Sequence, residues 1–85
     1  MNKEKIVSVL NDNQKEFVCM GEVDIELMEN VLRLFTGEFR SAVRLKAVST
    51  SLDGTTVYCC EFSNAQETIS FTVSYNAVDG HTIVS

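Results

Sequence analysis

Polar and apolar residues alternate most strictly in the last third of the chain. Ile69, Phe71, Val73 and Tyr75 interleave with Thr68, Ser70, Thr72 and Ser74. Strand side chains point to opposite faces in turn, so this run predicts a strand with one buried face and one hydroxyl-bearing face. Two further β-patterned runs, FRSAVRLKAVSTS and TTVYCCEFS, precede it within residues 39–77. Their aromatic and β-branched residues suit a pleated surface. Between these two runs, Asp53-Gly54 is a two-residue hairpin signal of type I′, which needs φ > 0 at both positions. That turn pairs Leu52 with Thr55. Ser49 then faces Tyr58, Ala47 faces Cys60 and Leu45 faces Phe62, with Val48 opposite Cys59 and Lys46 opposite Glu61 on the other face. A slip of one residue would turn every side chain to the wrong face. A second turn is expected at 63–66, with either a two- or a four-residue loop. Val78-Asp79-Gly80-His81 is expected to return a short fourth strand, Thr82–Ser85.

Helical spacing appears upstream. Asn2 can cap a helix over residues 2–12 whose stripe is Ile6, Val9 and Leu10, with an exit at Asn11-Asp12-Asn13. Residues 15–20 read as a strand ending at Gly21, with continuation of the helix as the alternative. Residues 24–36 form the best-defined helix, with Asp24 as N-cap and Gly37 at the left-handed C-terminal position. Ile25, Leu27, Met28, Val31, Leu32, Leu34 and Phe35 make a wide apolar face, and Glu26, Glu29, Asn30 and Arg33 a narrow polar stripe. So apolar a helix is expected to be largely buried. Its expected partner is the inner face of the strands, made of Phe39, Val43, Leu45, Tyr58, Phe62, Ile69, Phe71, Val73 and Tyr75. The predicted fold is therefore α+β, with one or two helices packed on one face of a three- to four-stranded antiparallel β-meander.

Length and charge narrow the function classes. Eighty-five residues make a single domain, 1–85. The net charge is −5. Eight of the twelve acidic residues fall in the first 38 (Glu4, Asp12, Glu16, Glu22, Asp24, Glu26, Glu29, Glu38), and no Lys or Arg follows Lys46. Such a chain repels phosphate backbones, so no nucleic-acid partner is expected. Three cysteines, Cys19, Cys59 and Cys60, argue against a closed disulfide framework. Residues 1–20 lack the apolar core of a leader peptide, and no apolar run approaches the roughly 20 residues of a membrane span. The expected setting is the reducing cytoplasm, without membrane contact.

Catalytic and metal chemistry is thinly represented. His81 is the only histidine and falls in a predicted turn, where no sequence neighbour offers it an acid–base partner. One isolated and two adjacent cysteines do not fit zinc-ligand spacing. The acidic run at Glu22, Asp24, Glu26 and Glu29 lacks calcium-loop spacing. No cofactor, metal site or catalytic residue is predicted. The candidate partner-binding residues are the acidic Glu22, Glu26 and Glu29, the basic Arg40 and Arg44 on a strand face, and the hydroxyls of Thr68, Ser70, Thr72 and Ser74 beside Val57 and Cys59. The strand carrying those hydroxyls has no Lys, Arg or Pro to protect its edge, so either another chain or the segment 15–20 is expected to cover it. By size, charge and absence of motifs, the expectation is a non-enzymatic protein-binding module acting by surface complementarity. Small adaptors, and inhibitors of the kind phages and mobile elements encode against host enzymes or defence systems, fit this profile. Its partner would be another protein or a second copy of the chain. The alternative is a dimeric small-ligand-binding protein with Arg40, Arg44 or Tyr75 as polar anchors.

Overall fold

In the computed structural model, which describes residues 2–85, helix α1 (Lys3–Asp12) opens the chain. Asn2 caps it, its Oδ1 accepting from the Lys5 N–H at 2.8 Å. Ile6, Val9 and Leu10 are its buried stripe. Asn13 ends it by turning its side-chain amide back onto the Val9 carbonyl at 2.7 Å. Helix α2 (Ile25–Thr36) is capped by Asp24 and closed by Gly37 in the left-handed conformation, as its caps predict. Strands β3 (Ala42–Thr50), β4 (Thr55–Ser63), β5 (Thr68–Asn76) and β6 (Thr82–Val84) form one antiparallel sheet in chain order. The fold is α+β with both helices on one face of this meander. Phe17, Phe62, Phe71, Ile6, Leu10, Met28, Leu32 and Val73 form the centre of the single core.

The segment at 15–20 departs from the expected strand. Gln14–Glu16 is a 3₁₀ turn, and only Val18–Cys19 is extended (β1), paired with Glu22–Val23 (β2) in a separate two-stranded hairpin. Phe17 is fully buried and its carbonyl accepts from Asp24 N–H at 2.8 Å. Burying that ring fixes the local geometry and keeps the segment off the main sheet. Met20 and Gly21 both take positive φ, 52° and 81°, so the tight two-residue turn forms here, on a residue with no intrinsic preference for it.

At Asp53-Gly54 the turn is longer than predicted. Gly54 alone is left-handed, at φ 89°. Ser51 N–H donates to Thr55 O at 2.8 Å, and Gly54 N–H to Ser51 O at 3.2 Å. This is a three-residue loop over Leu52-Asp53-Gly54, the type I turn with a left-handed glycine. Thr55 N–H and the Ser51 hydroxyl both donate to the Asp53 carboxylate, and with the Thr55 backbone bond leading they hold its pKa below the usual value. The extra loop residue shifts the register, so Val48 faces Tyr58 and Ser49 faces Val57. A bulge at Leu45/Ala47 shifts it again, placing Leu45 opposite Cys60, Arg44 opposite Glu61 and Val43 opposite Phe62. Lys46 is the bulged residue, and its ammonium still reaches Glu61 at 3.8 Å. The expected ion pair therefore forms across a different register. The next loop has four residues, 64–67, one position later than expected, with Phe62 facing Ile69; Gly80 returns the chain into β6 as predicted.

Side chains from the helices and the 3₁₀ turn cap part of each sheet edge. Along β6, Asn11 of α1 donates to Val84 O and accepts from Val84 N–H, both at 3.1 Å. Gln14 donates to Thr82 O at 2.9 Å. At β3, the Glu29 carboxylate of α2 accepts from Val43 N–H at 2.9 Å and pairs with Arg33 at 3.2 Å, while Arg33 Nε donates to Ser41 O at 2.7 Å. Of the β5 edge that lacked protection in the sequence, β6 covers Val73–Tyr75, extended by reciprocal bonds between Thr72 and Ser85, and the part from Thr68 to Phe71 runs past its end. Segment 15–20 takes no part in covering it.

These contacts set two stability predictions of opposite sign. Asn11→Ala strips both partners from the partly buried Val84 backbone and should cost about 1–3 kcal/mol in urea unfolding. Ser41 Oγ is fully buried and has no hydrogen-bond partner. Ser41→Ala should therefore be neutral or stabilising by up to about 1 kcal/mol.

Candidate functional site

The alternation in β4 and β5 divides the sheet into two chemically distinct faces. Phe62, Cys60, Phe71, Val73, Tyr75 and Val84 point into the core. The other face carries no helix. Across it run rows of facing residues: Arg44, Glu61 and Ser70; Ala47, Cys59 and Thr72; Ser49, Val57, Ser74 and Ile83. The structure thus brings Arg44, Thr68, Ser70, Thr72 and Ser74 onto one outer surface. Thr68 and Ser70 are exposed, and Thr72 and Ser74 are half-buried. Thr72 is engaged by Ser85, its hydroxyl 2.8 Å from Ser85 Oγ.

The remaining candidates are scattered. Glu22 is exposed in the β1–β2 hairpin and Glu26 is exposed on α2. Both lie on elements away from the hydroxyl face. Glu29 holds the β3 edge and Arg33, so it is part of the fold's own scaffolding. Arg40 is exposed in the loop between α2 and β3, bordering a shallow groove with Glu38, Phe39 and Asn64. Tyr75 is buried in the core. Arg40, Arg44 and Tyr75 therefore do not converge on one ligand cavity.

The surface that sequence reasoning missed is the side of α2. Met28, Val31 and Leu32 are buried, but Leu27, Leu34 and Phe35 are 37%, 70% and 51% exposed. The expected burial of the whole apolar face is corrected accordingly. Alpha1 and the sheet take up one flank of the helix, and no third layer covers the other. Leu27, Val31, Leu34 and Phe35 line a groove of about 410 Å³ whose polar wall is Asn13, Glu16 and Asn30. Glu16 is the only charged residue in that lining, and Glu26 lies one turn from Asn30 on the same helix. A signal for this surface was present in the sequence. At 100° per residue the apolar arc from Leu34 round to Ile25 spans roughly 180°, well beyond the stripe of about 100° that one packing contact needs. Phe39, also assigned to the core, is 68% exposed in the loop before β3; the strand begins only at Ala42.

The groups with latent chemistry remain apart. Cys60 faces the core and Cys59 the outer surface, as strand alternation requires, and all three cysteines are free. Burial, with a smaller contribution from the neighbouring Cys59, pushes the Cys60 thiol up to about 11. His81 is exposed in the β5–β6 turn, its backbone N–H bonded to Asp79 Oδ1 at 2.8 Å. Among the described residues, no group of three or more His, Cys, Asp or Glu is arranged to hold a metal ion. No helix among them is long and apolar enough to cross a membrane. Scans of the chain against protein-family models, curated proteins and solved structures find no match in any of the three.

The thiols give a testable consequence. At pH 8 a thiol reagent should label Cys19 and Cys59 readily and leave Cys60 unlabelled until the protein unfolds. As pH rises past the ordinary thiol value of about 8.5, the unfolded chain ionises at Cys60 while the folded chain stays protonated up to about 11. The unfolded state then binds fewer protons, so stability should fall across that window. The decline should be shallower in Cys60→Ala, measured by urea midpoints at pH 8 and pH 10.5.

Proposed function

We propose that this chain is a small protein-binding module that acts by surface complementarity and not by catalysis, as an inhibitor or adaptor of another protein in the cytoplasm. The observation that carries this reading is the uncovered apolar side of α2. Fully burying a Leu or Phe side chain is worth about 1.5–3 kcal/mol. At Leu34 and Phe35 half or more of the residue surface is still in water. Isolated exposed apolar residues are ordinary, but contiguous ones rimmed by polar groups mark interaction sites. Leu27, Leu34 and Phe35 share one groove with such a rim.

The hydroxyl face of the sheet is a weaker candidate. Its Ser and Thr hydroxyls gain little on being covered, and they separate the apolar residues of that face, Ala47, Val57, Cys59 and Ile83. The dimeric ligand-binding reading loses its anchors, because Tyr75 is in the core while Arg40 and Arg44 lie in a loop and on the outer face. The cytoplasmic setting rests on three free cysteines in a chain of this size.

Capture of the tagged chain from lysate of its natural host, with mass spectrometry and light scattering on the eluate, tests the reading. The expected result is one stoichiometric protein partner. Recovery of the chain alone, as a closed oligomer whose melting temperature rises with a small metabolite, would replace the module with a ligand-binding protein.

A further inference from the structure

We infer that the α2 groove receives a short amphipathic helix of another protein, with basic residues flanking its apolar stripe. The inference rests on the protein-binding reading and names the partner's chemistry. The groove floor runs from Leu27 to Phe35, which is two turns of helix and about 12 Å at 1.5 Å per residue. That length matches two to three turns of an incoming helix with apolar residues at i, i+3, i+4 and i+7. The polar lining carries acidic charge and no basic residue. Glu16 of the 3₁₀ turn is the charged group in the lining, and Glu26 stands one turn before the lining residue Asn30 on α2. Arg33, the cation of α2, is occupied by Glu29 and Ser41.

Other occupants fit less well. A second copy docked through the same groove about a two-fold axis would bring both acidic rims together, on chains that each carry −5, and like charges brought together at an interface cost several kcal/mol against a wrong partner. An extended peptide would need an open strand edge beside the groove. The β6 edge is closed by Asn11 and Gln14. The β3 edge is closed by Glu29 at its start and broken further along by a bulge at Leu45/Ala47 and by Lys46, both devices that discourage strand addition. A helix whose Lys or Arg residues meet Glu16 and Glu26 satisfies the apolar floor and the acidic rim together.

The probe is a displayed library of 14-residue peptides with apolar residues fixed at helical spacing and all other positions random. It is selected on the full chain and counter-selected on Leu34→Asp. Enriched peptides should carry a net positive charge and bind Leu34→Asp at least tenfold more weakly, with the variant's circular dichroism unchanged. Glu16→Lys/Glu26→Lys should weaken those peptides about threefold to tenfold, mainly through association rate, and should reverse the charge preference when the selection is repeated on it. Three results would overturn the inference: no enrichment, enriched peptides of neutral or negative charge, or equal binding to Leu34→Asp. A concentration-dependent dimer abolished by Leu34→Asp would assign the groove to a second copy instead. In lysate capture, a partner that Leu34→Asp retains removes the groove and leaves the module standing. No partner for either form removes the module itself.

Discussion

A four-stranded open sheet has two edges whose backbone groups need partners, and in this protein side chains of the two helices and of the 3₁₀ turn supply several of them. Asn11 and Gln14 take the outward groups of Val84 and Thr82 at one edge. Glu29 takes the Val43 N–H at the other. The Asn11 bonds tie α1 to Val84 and the Glu29 bond ties α2 to Val43, so each helix is held at one position along its edge strand. The buried stripes of α1 and α2 then meet the inner face in a single arrangement. Apolar burial supplies most of the driving force, but it is non-directional. These polar contacts give it direction.

The second constraint is one of length. Helices of ten and twelve residues span about 15 and 18 Å, whereas strands of nine residues span about 30 Å. Two such helices cover only one end of the sheet's inner face. Phe62, Phe71 and Val73 are enclosed there, while Val48 and Leu52 at the far end of the β3–β4 ribbon remain in solvent. The molecule is accordingly elongated, 38 Å along its longest axis and about 20 Å across the others. With no third layer, the outer flank of α2 is left uncovered as well.

This geometry sorts the charged residues by role. Of the three acidic candidates, Glu29 is an edge clamp, Glu22 belongs to a separate hairpin, and Glu26 alone borders the apolar flank of α2. Glu16, drawn from a 3₁₀ turn, lines the groove itself. The acidic character of the first half of the chain therefore serves partly to hold the fold together and partly to edge a groove. Spacing along one helix would not separate these uses, because they depend on which element each carboxylate meets.

Local structure is legible in the residues alone: both helices with their caps at Asn2, Asp24 and Gly37, the order of the four strands, and the inward set of β4 and β5. These follow from period, capping chemistry and alternation, all of which act within a few residues. Tertiary structure alone decided the register of β3, since a third loop residue at Leu52 and a bulge at Lys46 are both compatible with the same string of side chains. It decided that Phe17 is buried, which turned residues 14–16 into a 3₁₀ turn and shortened the expected strand. It also decided which part of an apolar arc of roughly 180° on α2 faces the core. A side chain's hydrophobicity is local, but whether water or another layer lies against it depends on how many layers the whole chain can build.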